Sequence, residues 1–97
     1  MNKLLALALT CATMPAVAIP FCEEVARDAY ITMHVRQSGV PFDQVTCGDG
    51  NVELCEAMLK VAYMVPIHDT TEEKEIEARA YGVFWYKQCL EAVGQEI

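Results

Sequence analysis

A single serine, Ser38, is present in this 97-residue chain, and no base is placed beside it by any recognisable spacing, so serine nucleophile chemistry has little to build on. The two histidines, His34 and His68, stand apart without a local ligand partner and read as surface or rim side chains. No Cys-x-x-Cys occurs, and the cysteine spacings are too irregular for the paired knuckles of a structural zinc site. Basic residues are few, 7 against 14 acidic, for a net charge of −7. A surface of that sign repels phosphate backbones and anionic lipid, which argues against nucleic acid and favours a basic partner or solubility alone. Nor is there a run of about 20 apolar residues fit to span a membrane, or any Val/Ile/Thr-rich alternation of the strand type beyond residue 18.

What is present begins at the N-terminus. Lys3, the apolar run Leu4 to Leu9 and then Ala16-Val17-Ala18 have the order of a secretory signal peptide, with small residues at −3 and −1 of a cut after Ala18. Residues 1–18 are thus expected to be a signal and residues 19–97 one helical, disulfide-bonded domain, located in the periplasm or secreted. Thr10, Thr13 and Pro15 interrupt the apolar stretch, which disfavours an uncleaved anchor. Cys11 is a poor lipid acceptor, since Thr10 precedes it where a smaller residue belongs. Losing Lys3 leaves 6 basic against 14 acidic residues, a net charge of −8.

In the mature chain, Cys22, Ala26, Ala29 and Met33 recur at helical spacing, with Phe21 and Val25 broadening the stripe, and Gly39 with Pro41 ends a first helix over 21–37. Pro41-Phe42-Asp43 can start one short turn before the glycine-containing stretch 47–51. A second helix is expected from about Val52 to Val65, with Cys55, Met58, Ala62 and Val65 inward and Pro66 as its stop. Thr70-Thr71-Glu72-Glu73 matches a capping box, which starts a third helix that runs to about Val93, buries Ile76, Ala80, Val83, Tyr86 and Leu90, and ends at Gly94. The fold class is all-α: a small three-helix bundle with one short helical turn, stapled by two disulfides.

A domain of 79 residues has only a few kcal/mol from its core, so cross-links are expected. The four mature cysteines, Cys22, Cys47, Cys55 and Cys89, allow three pairings, and sequence alone does not choose among them. The glycine-containing loop makes Cys47–Cys55 an easy closure, which leaves Cys22–Cys89. That second bridge would force the 39–51 segment back along the first helix, because a plain up-down-up bundle would set Cys89 beside Cys47 and Cys55 instead.

Catalysis finds no support. Asp49-Gly50-Asn51 opens like a calcium loop but has Leu54 in place of the turn glycine and Lys60 in place of the bidentate glutamate. Glu72, Glu73, Glu75 and Glu77 form the solvated, dipole-matched start of the third helix. The chain therefore reads as non-enzymatic, with no metal or cofactor. Its most suggestive binding feature is the aromatic stretch 81–86: with Val83 and Tyr86 inward, Tyr81 and Trp85 at i, i+4 share another face near Lys87, and these three residues are the expected protein-binding site.

Cys22, Arg36-x-x-Gly39, Ala62-Tyr63-x-x-Pro66 and the late Cys89 resemble the pattern of short exported helical proteins of proteobacteria and their phages. That resemblance implies a helical periplasmic domain with a first-to-last disulfide, and implies no activity. Cys47 and Cys55 are additional to the pattern. The layout is similar, more loosely, to helical immunity proteins that neutralise secreted cell-wall amidases, from which no residues are carried over. The expected function is that of an exported binding or inhibitory protein acting on an envelope or secreted protein. Alternatives are an accessory periplasmic domain, and a membrane-tethered phage lysis or superinfection regulator whose N-terminal segment stays uncleaved.

Overall fold

The computed structural model of the protein describes residues 18–48 and 50–95. The expected signal peptide, Ala18 apart, lies outside them, as does Cys11. Three α-helices, α1 (Ala18–Gln37), α2 (Val52–Ala62) and α3 (Thr71–Gln95), and one 3-10 turn (Phe42–Gln44) make up the regular structure, with no strand among the described residues.

Helix α1 starts three residues before the apolar period does, and Pro20 sits in its first turn, where a missing N–H costs nothing. Cys22, Val25, Ala29 and Met33 are buried; Val25 takes the inward place expected of Ala26. The helix ends where Gly39 adopts a left-handed φ of 85° and its amide donates to the Arg36 carbonyl at 3.0 Å. The chain then returns along α1, bringing Gly50 and Asn51 beside Phe21 and Val25. There Asn51 caps α2 by accepting from the Leu54 amide at 3.0 Å. Helix α2 runs parallel to α1: it starts near Phe21, and just beyond its end Arg36 Nε donates to the Val65 carbonyl at 2.8 Å. It stops at Ala62, with Tyr63 as C-cap, three residues before the expected Val65.

Helix α3 starts from the Thr70 cap, whose Oγ1 accepts from the Glu73 amide at 3.1 Å. The return half of the box differs from expectation, because the Glu73 carboxylate accepts the Thr70 hydroxyl at 2.9 Å. The helix continues through Gly94 instead of ending there, and lies antiparallel to both neighbours. Disulfides join Cys22 to Cys89 and Cys47 to Cys55, with Cα separations of 5.5 and 5.9 Å. The order is up, up, down, as the long bridge requires.

The rotation of α3 corrects the sequence reading. Ile76 is 59% exposed and Val83 53%, whereas Ala78 and Tyr81 are buried and Trp85 and Cys89 pack against the core. Helix α3 carries two apolar stripes, and Cys89 selects between them. Once Cys89 must meet Cys22, the residues four, seven, eight and eleven before it, Trp85, Gly82, Tyr81 and Ala78, turn inward with it. Gly82 also permits close approach, since a Cβ there would lie 3.1 Å from the Ala26 carbonyl oxygen.

The bridges close loops of very different length, with sequence separations of 67 and 8. Chain entropy assigns the long one about 4.4 kcal/mol and the short one about 2.6. Urea unfolding of the Cys22→Ser/Cys89→Ser and Cys47→Ser/Cys55→Ser double variants should show the larger loss in the first; equal losses would contradict that ordering.

Candidate functional site

Three groups of side chains stand out from the helical frame, and each is first asked what its polar atoms are already doing. At the end where α1 stops, Gln37 is 2% exposed. Its amide nitrogen donates to the Pro66 carbonyl at 3.0 Å, and its oxygen accepts from the His68 amide at 2.8 Å. Beside it the Arg36 guanidinium lies 5.0 Å above the Tyr63 ring, and the Tyr63 hydroxyl donates to the Val40 carbonyl at 2.7 Å. His68 Nε2 is 2.9 Å from Glu77 Oε1. These bonds tie the ends of α1 and α2 and the segments that follow them to one another and to α3, so they hold the fold.

Midway along the α1–α3 contact, both oxygens of Glu75 accept from the Tyr30 hydroxyl, at 3.0 and 2.8 Å. Arg79 Nε donates to the same carboxylate at 2.9 Å, and His34 Nε2 stands 3.9 Å away. The Tyr30 hydrogen bond first, and that from Arg79 second, hold the Glu75 carboxyl below the usual carboxylate range. The same bond pushes the Tyr30 phenol up. An ionised carboxylate and a reluctant phenol are poorly suited to proton exchange near neutrality. Ser38 Oγ donates to the His34 backbone carbonyl at 2.8 Å, which commits the hydroxyl locally. The roles of Glu75 and Glu77 were not visible in the sequence, where both belong to one acidic run. The usable signal was the i, i+4 pairs Tyr30/His34 and Glu75/Arg79, which the antiparallel pairing of α1 with α3 sets face to face.

The third group is the aromatic stretch. Tyr81 and Trp85 do share a face, but that face is inward. Tyr81 is 6% exposed and its hydroxyl donates to the Met58 carbonyl. Burial pushes its phenol up, opposed by polar groups of Trp85 and Ala62. The Trp85 ring packs edge-on to Tyr81, with centroids 6.2 Å apart, and its Nε1 is buried with no acceptor at hydrogen-bonding geometry. Of the three residues expected to bind a partner, only Lys87 is exposed. The register of Cys89 was the signal that would have turned the other two toward the core, where Tyr81 is buried and Trp85 half-buried.

The outward face of α3 carries the second stripe instead. Ile76, Ala80, Val83 and Phe84 are all exposed, and Val83 also edges a groove of about 450 Å³ between α1 and α3. Among the described residues no cluster of three or more His, Cys, Asp or Glu is fit to hold a metal, and no helix is long and apolar enough to cross a membrane. Comparison with protein-family models, curated proteins and solved structures returns no match.

Two measurements follow from this geometry. Trp85→Ala should lower the melting temperature markedly, with a loss of about 3 kcal/mol through the cavity it leaves, while Val83→Ala should leave it nearly unchanged. The reverse ranking would restore the rotation expected from sequence. Because the Glu75 carboxyl is held low, its contribution to stability is present above the ordinary carboxylate range and is lost as pH falls through the depressed value. The stability gap between the wild type and Tyr30→Phe should accordingly be full at neutral pH and shrink in strong acid; a gap that widens there would be incompatible with the assignment.

Proposed function

We propose that the protein is a small exported binding or inhibitory domain that works in the periplasm or outside the cell and docks a helical face on a protein partner. The observation that carries this reading is the outward stripe of α3: Ile76, Val83 and Phe84 are each at least half exposed on a helix that a disulfide holds in place. Contiguous exposed apolar surface on a small domain marks an interaction site. Two disulfides suit an oxidising compartment, in keeping with the signal-like order of residues 1–18. The resemblance to exported proteins of proteobacteria and their phages suggests an envelope or secreted protein as the target. Rigidity favours inhibition or capture, because little conformational entropy is lost on docking.

A photo-crosslinking residue at position 83, with a second variant at the exposed Lys60 as control, tests the reading in a Gram-negative host. The expected result is a discrete adduct with an envelope or secreted protein at position 83 only, formed by a chain whose N-terminus is Ile19. No adduct, or equal labelling at both positions, would defeat the docking face. Recovery of the full-length chain in membranes would favour the tethered regulator.

A further inference from the structure

We propose that the groove between α1 and α3 receives an amphipathic helix whose apolar stripe is flanked by acidic residues. The inference rests on the binding function above and names the chemistry of the partner. Ala26, Gly82 and Val83 are among the groove's lining residues, together with Tyr30, Tyr86, Arg27 and Arg79. The lining itself holds two arginines and no carboxylate, and the carboxylate at its rim, Glu75, is already engaged by Tyr30 and Arg79.

Both arginines keep donors for a partner. Arg27 makes no ion pair among the described residues. Arg79 commits Nε to Glu75, which leaves its terminal nitrogens on a side chain that is 75% exposed. The apolar part suits a helix for a separate reason. Gly82 lets α1 and α3 approach so closely that a Cβ at this position would meet the Ala26 carbonyl at 3.1 Å. Two helices in such contact leave a shallow furrow that the side-chain ridge of a third helix can enter. Tyrosine and arginine around a small-residue furrow are also the side chains enriched at interface hot spots.

Charge selects the occupant. In a two-fold dimer packed groove to groove, a second copy would set Arg27 and Arg79 against their own equivalents. A basic partner, which the net charge of the whole chain suggests, would face the same repulsion locally. An acidic helix pairs with both arginines, and its apolar ridge covers Val83.

The test displays a library of randomised helical peptides to the exported, processed protein, with counter-selection on Val83→Asp. The winning peptides should carry an i, i+3, i+4, i+7 apolar stripe edged by Asp or Glu. Their affinity should fall at least tenfold on Arg27→Glu, at a residue that makes no ion pair among the described residues, with the circular dichroism and melting temperature of that variant near wild type. Winners with neutral or basic edges, indifference to the arginine reversal, or no enrichment over Val83→Asp would overturn the proposal. So would a reversible dimer in sedimentation that Val83→Asp dissociates, since the groove would then be filled by a second copy. Winners that need Val83 but lack acidic edges would reject the acidic helix and keep the docking face, whereas the absence of a crosslink at position 83 would remove the face itself.

Discussion

The covalent tie between Cys22 and Cys89 is the constraint on which the rest of the molecule depends. It joins the first turns of α1 to the last turns of α3, which makes those helices antiparallel neighbours. It also sets the rotation of α3 about its own axis. Helix α3 is apolar on more than one side, so the hydrophobic effect, which has no direction of its own, would accept either stripe as the core. The sulfur atoms remove that choice: Ala78, Tyr81, Trp85 and Cys89 face inward, and Ile76, Val83 and Phe84 are left outside.

Once α1 and α3 are paired, the path of the intervening chain is strongly restricted. Helix α2 can reach the remaining side of the pair only if the segment after α1 first runs back along it. The 3-10 turn, the Cys47–Cys55 bridge and the Asn51 cap lie along that return. At the far end, Gln37 supplies the closing hydrogen bonds. Its amide satisfies the Pro66 carbonyl and the His68 amide in a buried place where either group left alone would cost about 1–3 kcal/mol. A disulfide at one end and a buried amide at the other thus bracket the three helices.

Electrostatics on this protein are local in a way that total charge hides. The acidic residues at the start of α3 are largely occupied: Glu73 with Thr70, Glu75 with Tyr30 and Arg79, Glu77 with His68. These are fold-holding contacts at or near the surface. The α1–α3 groove is lined by Arg27 and Arg79, with Glu75 reaching its rim through Tyr30 and Arg79, so Arg27 is the arginine there that no carboxylate pairs among the described residues. A partner meets the sign of the patch it touches within about a Debye length, and the net charge matters mainly for solubility and longer-range encounter.

Helical periodicity, glycine and proline stops and the Thr70 cap were sufficient to place all three helices, because these signals act within a few residues of one another and do not depend on the rest of the fold. Cysteine count and loop length pointed to the observed pairing and, through it, to the return of the 39–51 segment. Periodicity failed at the rotation of α3 and at the exposure of Tyr81, which is buried, whereas Trp85 packs against the core and stays half-buried. Two apolar stripes on one helix are equivalent until something distant breaks the tie, and that distant element is Cys22, 67 residues away in sequence from its partner. The burial of Gln37 and the engagement of Glu75 by Tyr30 were likewise out of reach, since their partners lie 29 to 45 residues away. The sequence alone therefore determined which segments are helical and which cysteines could join; only tertiary packing decided which apolar face became core and which remained exposed.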